Sequence, residues 1–415
     1  MLTENRERRR IAMLAHTCYL RDPRVRREAE ALVEAGHEVH IVSLSETNSA
    51  GVKEPRRATF KGVHVRRLPV ARRRGSLARY AYEYLATLLL GALELTLMHL
   101  RKRLDVVHVH NMPDLLVLAG ILPRLMGARL VLDVHDPMPE LFMSWGKTNK
   151  LLIKLLRIQE RFSWTIADRV VSVNESMRDH LQAKGVPAEK IFIVNNFPDQ
   201  RLFPLCEPST WPRNGESLVL LYCGTVTEHY DLTLAVGAIA RLVREIPVKL
   251  RILGEGNRLA EVFAVAASSG VAASIEHLGL VPIEQVPAEM RKADVGVSCH
   301  RAGVFGDLYF STKIVEYLTQ GLPVVSPRTT TITKYLPEEC LFFFDAGSEE
   351  AMVDQLRFIW RNHAEVARRL EKSRALLPQL SWQAERSKFV AFYADLMGPA
   401  RPAVAEPETH AVHGP

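Results

Sequence analysis

The sequence lacks several patterns that identify whole classes of protein. Its cysteines are few, widely spaced and without a C-x-x-C pair, which excludes a small disulfide scaffold and a cysteine-based metal or redox site; they are Cys18, Cys206, Cys223, Cys299 and Cys340. No G-x-G-x-x-G follows the first predicted strand, so a dinucleotide oxidoreductase is not favoured. Aromatic residues are 7% of the chain and do not alternate with basic ones, which disfavours a nucleic-acid platform.

Long uninterrupted apolar runs are also missing. The run after the basic N-terminus has only about six residues, too few for a signal peptide, and we expect a protein of the reducing cytoplasm. The segment 77–100 is long enough to span a membrane, but Arg79, Glu83 and Glu94 interrupt it. We interpret it as a buried crossover helix, and an interfacial helix on anionic lipid is the alternative. The basic clusters that flank it, 72–74 and 101–103, are a candidate membrane patch.

The positive charge of the chain is concentrated at one end. The 54 Lys and Arg outnumber the 47 Asp and Glu, which gives a formal charge of +7. Residues 1–110 contain 21 of the basic and 12 of the acidic residues, so the excess lies in the N-terminal quarter. A basic region of this kind attracts nucleic acid, anionic lipid or a phosphorylated substrate, and composition does not choose among them.

The alternation of apolar segments predicts an α/β fold. Short β-branched runs alternate with segments of helical period, as in parallel strands joined by crossover helices. A proline-rich loop at 195–216 interrupts the pattern, which then restarts. We therefore expect two doubly wound, Rossmann-like lobes facing a central cleft: a lobe at 1–200, a second lobe at 201–378, a helix at 379–397 that returns to the first lobe, and a disordered tail at 398–415.

Polar residues follow many of the predicted strands. Ligands bind at the carboxyl ends of parallel strands, so these residues are candidates for a cleft site. In the first lobe they include Arg21, Arg24, His108, His110, Asn111, Asp133, His135, Asp136 and Glu140. In the second lobe they include Gly224, Thr225, Gly254, Val281, Pro282, His300 and Arg301. One of His108 and His110 is expected to be a core histidine, and Asp136 fits a turn cap as well as a catalytic role.

The segment 305–327, FGDLYFSTKIVEYLTQGLPVVSP, has the most specific chemistry. Ser311 or Thr312 is predicted to cap a helix whose first amides, together with Lys313, form an anion site for a diphosphate. Glu316 lies one turn further on the same face and can accept hydrogen bonds from ribose hydroxyls. The alternative is that Lys313 and Glu316 form a surface salt bridge, which is common at this spacing.

The same segment resembles the nucleotide-sugar signature of family 4 glycosyltransferases, which have the GT-B fold. The resemblance extends through RDPRVRREAEALVEAGHEVHIVSL, VVHVHNMPDLLVLAG, LVLDVHDPMPELF and LLYCGTVTEHYD in the correct order. It implies a retaining, metal-independent enzyme that binds its donor on the second lobe and its acceptor on the first. The resemblance implies that Glu316 holds the ribose and that His135 faces the donor sugar. It also implies that the diphosphate is faced by Lys313, Ser311 and Thr312, and that the base lies against Val281 and Pro282.

Three positions depart from the family pattern. Leu308 stands where a second glutamate is usual, with Asp307 as the candidate substitute. Thr225 stands where an arginine is usual, and His229 or Arg301 can supply the missing charge. The first loop has no glycine pair, so Arg21 or Arg24 is expected to contact phosphate there.

The function that we expect is glycosyl transfer from a nucleotide sugar to an acceptor hydroxyl in polysaccharide or glycolipid synthesis. The donor is a substrate, and no cofactor or metal is expected. The partners are the donor, a glycan or lipid-linked acceptor and an anionic membrane at the cytoplasmic side, with no nucleic acid. The departures at Leu308 and Thr225 motivate the alternative of a non-catalytic nucleotide-sugar-binding or scaffold protein.

Overall fold

The computed structural model describes residues 8–47, 51–71, 77–146, 149–207, 217–301 and 303–398. Within them the chain forms two lobes, each built on one sheet covered by helices, which confirms the predicted pair of Rossmann-like lobes. The arginines at 72–74 and the predicted tail after Gly398 lie outside the described residues.

The first lobe contains an eight-stranded sheet. Its order is β3-β4-β2-β1-β5-β6-β7-β8. The strands are β1 (Arg10–Leu14), β2 (Glu38–Ser45), β3 (Arg57–Phe60), β4 (Val63–Ala71), β5 (Val106–His110), β6 (Arg129–Val134), β7 (Arg169–Ser172) and β8 (Ile191–Ile193). The edge strand β3 was not predicted, and it pairs antiparallel with β4, so this sheet is mixed.

Helices cover both faces of this sheet. They are α1 (Pro23–Glu34), α2 (Leu77–Arg101), α3 (Ile121–Leu125), α4 (Met138–Ser144), α5 (Lys150–Ile166) and α6 (Glu175–Ala183), with 3-10 turns at Tyr19–Arg21, Asp114–Gly120 and Ala188–Lys190. One face packs against α1, and the other packs against α2, the Asp114–Gly120 turn, α5 and α6.

The helix α2 has the length and composition of a membrane span, but it packs on this sheet. Arg79–Arg101 is the one described helix that passes a length and hydropathy test for spanning. Its residues Leu95 and Met98 are fully buried in the core of the lobe. The opposite side of the helix is exposed and includes Leu85, Leu89 and Leu93.

The second lobe contains a six-stranded parallel sheet. Its order is β11-β10-β9-β12-β13-β14. The strands are β9 (Leu218–Cys223), β10 (Val248–Leu253), β11 (Ile275–Gly279), β12 (Val295–Val297), β13 (Val324–Pro327) and β14 (Phe342–Phe344). The helices of this half of the chain are α7 (Leu232–Leu242), α8 (Leu259–Ser268), α9 (Val286–Met290), α10 (Val304–Leu308), α11 (Thr312–Thr319), α12 (Thr330–Tyr335), α13 (Glu349–Arg361) and α14 (His363–Leu376), followed by α15 (Trp382–Met397). Two 3-10 turns lie at Ala272–Ser274 and Ile283–Gln285.

Two segments join the lobes. The described part of the proline-rich loop, 195–207, contains no helix or strand, but Phe197 and Phe203 are buried in the core of the second lobe. The last helix, α15, returns to the first lobe, where Trp382, Phe389 and Tyr393 pack beside β1 and α1. The chain therefore crosses twice between the lobes.

Candidate active site

A cleft between the lobes is lined by residues from both. One cavity, of about 570 Å³, has Arg24, Arg27, His135, Thr312 and Glu316 in its wall. An adjoining cavity, of about 770 Å³, is lined by residues that include Thr225, His229, His300 and Arg301. Asp136, Phe305 and Tyr309 line both cavities. The two cavities are therefore parts of one interlobe cleft at the carboxyl edges of the sheets.

The N-terminus of α11 opens on this cleft. Ser311 is at the N-cap position, but its buried hydroxyl makes no capping bond and has no partner among the described residues, contrary to the predicted side-chain cap. Thr312 does not cap either, since its hydroxyl donates to the carbonyl of Asn196 at 2.9 Å. The first amides of α11 therefore lack a side-chain cap and can bind an anion.

Lys313 extends from α11 against aromatic rings of the second lobe, one of which, Tyr230, lines the adjoining cavity. Its Nζ lies 4.0 Å from the ring centre of Tyr230 and 5.3 Å from that of Tyr222. Gly224 makes room for it, because a Cβ at that position would collide with the end of the Lys313 side chain. Gly224 also has a positive φ, so two constraints favour glycine there.

The carboxylate of Glu316 lines the first cavity and has no hydrogen-bond or ion-pair partner among the described residues. Lys313 does not come within 4.0 Å of it, which removes the salt-bridge alternative. Burial raises the pKa of Glu316 to about 7, although the charges of Lys313 and Arg27 oppose this shift. An unsatisfied carboxylate in a cleft is poised to accept hydrogen bonds from a ligand.

The residues predicted to replace the missing arginine have different surroundings. Thr225 is exposed and Arg301 is about half exposed, 3.7 Å from Asp231. His229 accepts a hydrogen bond from Trp145 Nε1 at 2.6 Å and has Ser144 Oγ 3.2 Å from its other ring nitrogen. Because indole only donates, His229 is neutral in this arrangement and is not the predicted cation. Burial also lowers its pKa.

The loops after β10 and β11 are only partly as predicted. Gly254 packs closely against Gly224, because a Cβ on Gly254 would collide with the Gly224 carbonyl. Gly254 therefore supports the loop, and it does not line either cavity. Val281 and Pro282 do not line them either; the next two residues, Ile283 and Glu284, do. The wall of the first cavity in this loop therefore begins one residue after Pro282.

On the first lobe, His135 enters the cleft from the end of β6. Its side chain is 22% exposed and its Nε2 lies 3.1 Å from Asp133 Oδ2. Its backbone N–H donates to Asn111 Oδ1 at 2.8 Å, and Asn111 Nδ2 donates to the Asp136 carbonyl at 2.9 Å. Asn111 therefore shapes the turn that presents His135 and Asp136. Burial raises the pKa of the Asp136 carboxyl.

Asp133 organises the buried floor beneath His135. The register of β5 and β6 places His110 opposite Asp133, and His110 Nδ1 lies 3.0 Å from Asp133 Oδ2. Arg24 donates to Asp133 Oδ1 at 2.6 Å and to Glu28 Oε1 at 3.0 Å. Although burial opposes it, the charges of Arg24 and His135 hold the pKa of Asp133 well below its usual range. Arg24 and His110 are thus bonded within a buried network, and of the two only Arg24 also lines a cleft cavity.

Three predicted residues lie away from the cleft or are already paired. Arg21 is exposed and donates to the Thr47 carbonyl at 2.6 Å. Glu140 contacts Lys184 at 2.9 Å and His180 at 3.2 Å; hydrogen bonds from both lower its pKa to about 2 despite burial. Asp307 accepts a hydrogen bond from the Thr330 amide at 3.2 Å at the start of α12, outside the two cavities. The structure therefore does not support Asp307 as the substitute glutamate.

Leu308 is part of the contact between the lobes. It is buried against the core of the first lobe, and its carbonyl accepts a hydrogen bond from Asn174 Nδ2 at 2.8 Å. A glutamate in this place would bury a charge beside apolar residues. The departure from the family pattern at this position thus coincides with an apolar interlobe contact.

Several cleft residues were missed from the sequence. Arg27 lines the first cavity, donates a hydrogen bond to the Phe197 carbonyl at 2.5 Å and stacks over Trp382. In the sequence, its spacing of three from Arg24 on α1 could have indicated that both arginines lie on the same face of the helix. Tyr230 lies beside Lys313 and His300, Tyr309 lies beside His300, and the two tyrosine hydroxyls are 3.0 Å apart. No sequence pattern predicted these aromatic contacts, which depend on how the loops of the second lobe meet.

The family models match most of the chain. The Glycosyl transferase 4-like domain matches residues 22–196, and the Glycosyl transferases group 1 domain matches residues 217–362. The chain is a glycosyltransferase of the family 4 type. One family domain thus lies in each lobe of this glycosyltransferase, as the sequence resemblance implied. No curated protein sequence matches it significantly.

Solved structures share the fold of this glycosyltransferase. Sucrose-phosphate synthase from Thermosynechococcus elongatus superposes with a TM-score of 0.77 at 16% identity, covering 94% of this chain and 99% of the other. Anabaena Alr3699/HepE in complex with UDP-glucose has a TM-score of 0.69 at 13% identity, covering 93% and 99%. WaaG, a glycosyltransferase involved in lipopolysaccharide biosynthesis, has a TM-score of 0.65 at 16% identity, covering 92% and 99%. These similarities confirm the GT-B architecture.

Proposed function

We propose that this glycosyltransferase transfers a sugar from a nucleotide-sugar donor to an acceptor hydroxyl with retention of anomeric configuration and without a metal ion in the cleft. The observation that carries the proposal is the unpartnered carboxylate of Glu316 in the interlobe cavity, one turn from Lys313 and the uncapped amides of α11. The complexes of Anabaena HepE with UDP and with UDP-glucose support a donor of this class.

The second lobe has the groups that a nucleoside diphosphate requires. An ionised Glu316 accepts hydrogen bonds from the two ribose hydroxyls, which are a matched pair of donors. The diphosphate then lies at the N-terminus of α11 beside Lys313, where helix amides and an ammonium group stabilise negative charge. Arg301, in the adjoining cavity, adds a further positive charge.

Cleavage of the donor leaves a diphosphate and an oxocarbenium-like sugar. Lys313, Arg301 and the α11 amides offset the charge of the departing diphosphate, so this step needs no metal at the cleft. In a retaining front-face reaction, the leaving phosphate oxygen accepts the proton of the attacking acceptor hydroxyl. The roles that remain for the first lobe are to position the sugar, through His135, and to orient the acceptor, with Asp136 beside it.

A donor screen tests this function. The purified chain is incubated with UDP-, GDP- and ADP-sugars and a set of glycan and lipid acceptors, and nucleotide release and product are measured. We expect one donor class to turn over in the absence of added divalent cations, and NMR of the product to show the anomeric configuration of the donor. An inverted product would contradict retention, and a rate that requires Mg²⁺ or Mn²⁺ would contradict metal independence.

The screen also distinguishes the alternative of a non-catalytic protein. A Glu316→Gln variant serves as the binding-deficient reference, and Glu276→Gln, on the exposed side of the second lobe, serves as the control. Donor binding without release or transfer in the presence of every acceptor would favour the non-catalytic alternative. Turnover by the wild type that is lost only in Glu316→Gln supports the enzyme.

We further propose a lipid-linked acceptor and peripheral attachment to an anionic membrane at the cytoplasmic face, in polysaccharide or glycolipid assembly. The outer side of α2 carries a stripe of apolar side chains that are each more than half exposed: Tyr82, Leu85, Leu89, Leu93 and Leu100. Exposed apolar stripes of this length on one helix are unusual in a soluble surface and fit an interface with lipid.

The helix α5, which packs on the same face of the first-lobe sheet as α2, also has an exposed outer side that carries charge. Its exposed apolar residues fall within about 60° of the helical wheel: Leu151, Leu155, Ile158 and Phe162. Four exposed cations lie beside them without an ion-pair partner among the described residues: Lys150, Lys154, Arg157 and Arg161. The only acidic residue of α5, Glu160, is buried against Lys184. Apolar and unpaired basic groups on one face match an anionic bilayer.

Vesicle binding tests this attachment. We expect the chain to co-sediment with phosphatidylcholine vesicles containing phosphatidylglycerol and to bind much less to phosphatidylcholine alone. Reversing two charges, Lys154→Glu with Arg161→Glu, should weaken binding at least about tenfold. The matched control reverses Arg244 and Lys249 on the second lobe. Equal binding to both vesicle types, or equal losses in both double variants, would contradict the proposed surface.

A further inference from the structure

A buried cluster of ligand-type side chains lies directly beneath His135. It consists of Glu28 on α1, His108 and His110 on β5 and Asp133 on β6. All four residues are almost completely buried, and one ligand atom from each lies within 4.8 Å of the others. The cluster belongs to the first lobe and does not line the cleft cavities, so it is separate from the site of transfer.

The distances within this cluster are close to those of a coordination shell. Asp133 Oδ2 lies 3.0 Å from His110 Nδ1 and 3.5 Å from His108 Nε2. His110 Nδ1 lies 4.0 Å from Glu28 Oε2. Ligand atoms about 2.0–2.1 Å from a tetrahedral zinc ion are about 3.3 Å from one another, so small side-chain movements bring these atoms to that spacing.

Polar atoms of the cluster are left without hydrogen bonds. Glu28 Oε2, His108 Nε2 and His110 Nε2 are buried and have no hydrogen-bond partner among the described residues. An unsatisfied buried polar atom costs about 1–3 kcal/mol, and native proteins avoid several in one place. Glu28 Oε2 and His108 Nε2 are both acceptor atoms of the kind that bind a cation.

The surrounding residues orient the cluster as an outer shell does in metal sites. Arg24 binds one oxygen of each carboxylate, Asp133 Oδ1 and Glu28 Oε1, which leaves Oδ2 and Oε2 for the centre. The Tyr393 hydroxyl lies 2.6 Å from His108 Nδ1, so it can accept a hydrogen bond from that nitrogen and leave the lone pair of Nε2 free. Partners on the second nitrogen of a ligating histidine are a general feature of metal sites.

We propose that Glu28, His108, His110 and Asp133 bind one zinc ion. Two imidazoles and two carboxylates fill a tetrahedral shell, so the ion is structural and has no open position for substrate. It fixes Asp133, which in turn holds Nε2 of His135 at 3.1 Å, and so it positions His135 in the cleft. The inference does not depend on the identity of the donor, and it is compatible with transfer that uses no metal in the cleft.

Metal analysis of the untagged, full-length chain tests the proposal. After dialysis against metal-free buffer, mass spectrometry should find about one zinc per chain, and a Co²⁺-exchanged sample should show the visible bands of tetrahedral cobalt. Less than a tenth of an equivalent of metal, with no change in melting temperature when Zn²⁺ is added to chelator-treated protein, would overturn it. The cluster would then be a proton-sharing network.

A conservative variant separates metal binding from folding. Tyr393→Phe keeps the packing of α15 but removes the hydroxyl beside His108, and it should weaken zinc affinity about 10- to 100-fold in a competition titration. Tyr335→Phe is the control, because its hydroxyl is also hydrogen bonded but contacts Asn195 and the Glu175 amide. Equal zinc affinities in the two variants and the wild type would contradict the assigned ligands.

Discussion

The two sides of the cleft are built in opposite ways. On the second lobe, one continuous segment around α11 supplies Glu316, whose carboxylate lines the cavity, and Lys313, whose Nζ lies over the ring of Tyr230. On the first lobe, His135 rests on groups from α1, β5 and β6 that are buried and bonded to one another. A site whose polar groups have no hydrogen-bond partners can bind and release ligands. A site whose polar groups are bonded to one another is suited to holding a side chain in place. The comparison predicts loss of stability from changes on the first side and loss of binding from changes on the second.

The largest expected effect on stability is from Asp133→Asn. The substitution removes the charge that Arg24 contacts at 2.6 Å in the interior and leaves the guanidinium with Glu28 alone. Breaking a buried pair in this way costs about 3–5 kcal/mol in the free energy of unfolding. Asp179→Asn, at an exposed pair with Arg178 and Lys334, should cost about 1 kcal/mol or less. Urea unfolding compares the two, and similar losses would mean that the first-lobe network is not specially stabilising.

The next effect is a stability change of opposite sign on the second lobe. Because burial raises the pKa of Glu316 to about 7, the folded state keeps a proton that the unfolded state releases as the pH rises above about 4.5. Ionised Glu316 therefore destabilises the fold by roughly 3 kcal/mol at pH 8. Glu316→Gln should be more stable than the wild type at pH 8, and the difference should vanish below about pH 4. A difference that does not vary with pH would contradict the raised pKa.

A smaller effect is expected from Gly224→Ala. The added methyl group displaces the end of Lys313, which should weaken diphosphate binding about tenfold while the strained φ costs about 1 kcal/mol of stability. Gly185→Ala is the matched control, since Gly185 also has a positive φ but a Cβ there meets no atom within 4 Å. Its stability should fall similarly and its nucleotide affinity should not change. Equal affinities in the two variants would separate Lys313 from the phosphate site.

The sequence predicts the two sides of the cleft unequally for a physical reason. The helix predicted to begin at Ser311 or Thr312 is α11, Thr312–Thr319, because local spacing decides a helix and the groups on one face of it. Other positions depend on contacts with residues that are distant in sequence. Asp307 is hydrogen bonded to Thr330, Leu308 packs in the first-lobe core, and His229 is hydrogen bonded to Trp145. The β5–β6 register that gathers His110 and Asp133 is likewise a tertiary feature. The local motif therefore predicts the helix that carries Lys313 and Glu316, whereas positions that depend on contacts between segments are not predicted from the sequence.

The most direct test of the account is calorimetric titration of UDP, GDP and ADP into the wild type, Glu316→Ala and Glu276→Ala. Two hydrogen bonds from ribose hydroxyls to an ionised carboxylate are worth about 3 kcal/mol together. We therefore expect at least one of the nucleotides to bind the wild type and Glu276→Ala equally, and to bind Glu316→Ala about 100-fold more weakly. Unchanged affinity in Glu316→Ala for the nucleotide that the wild type binds would contradict the assignment of the donor site to α11.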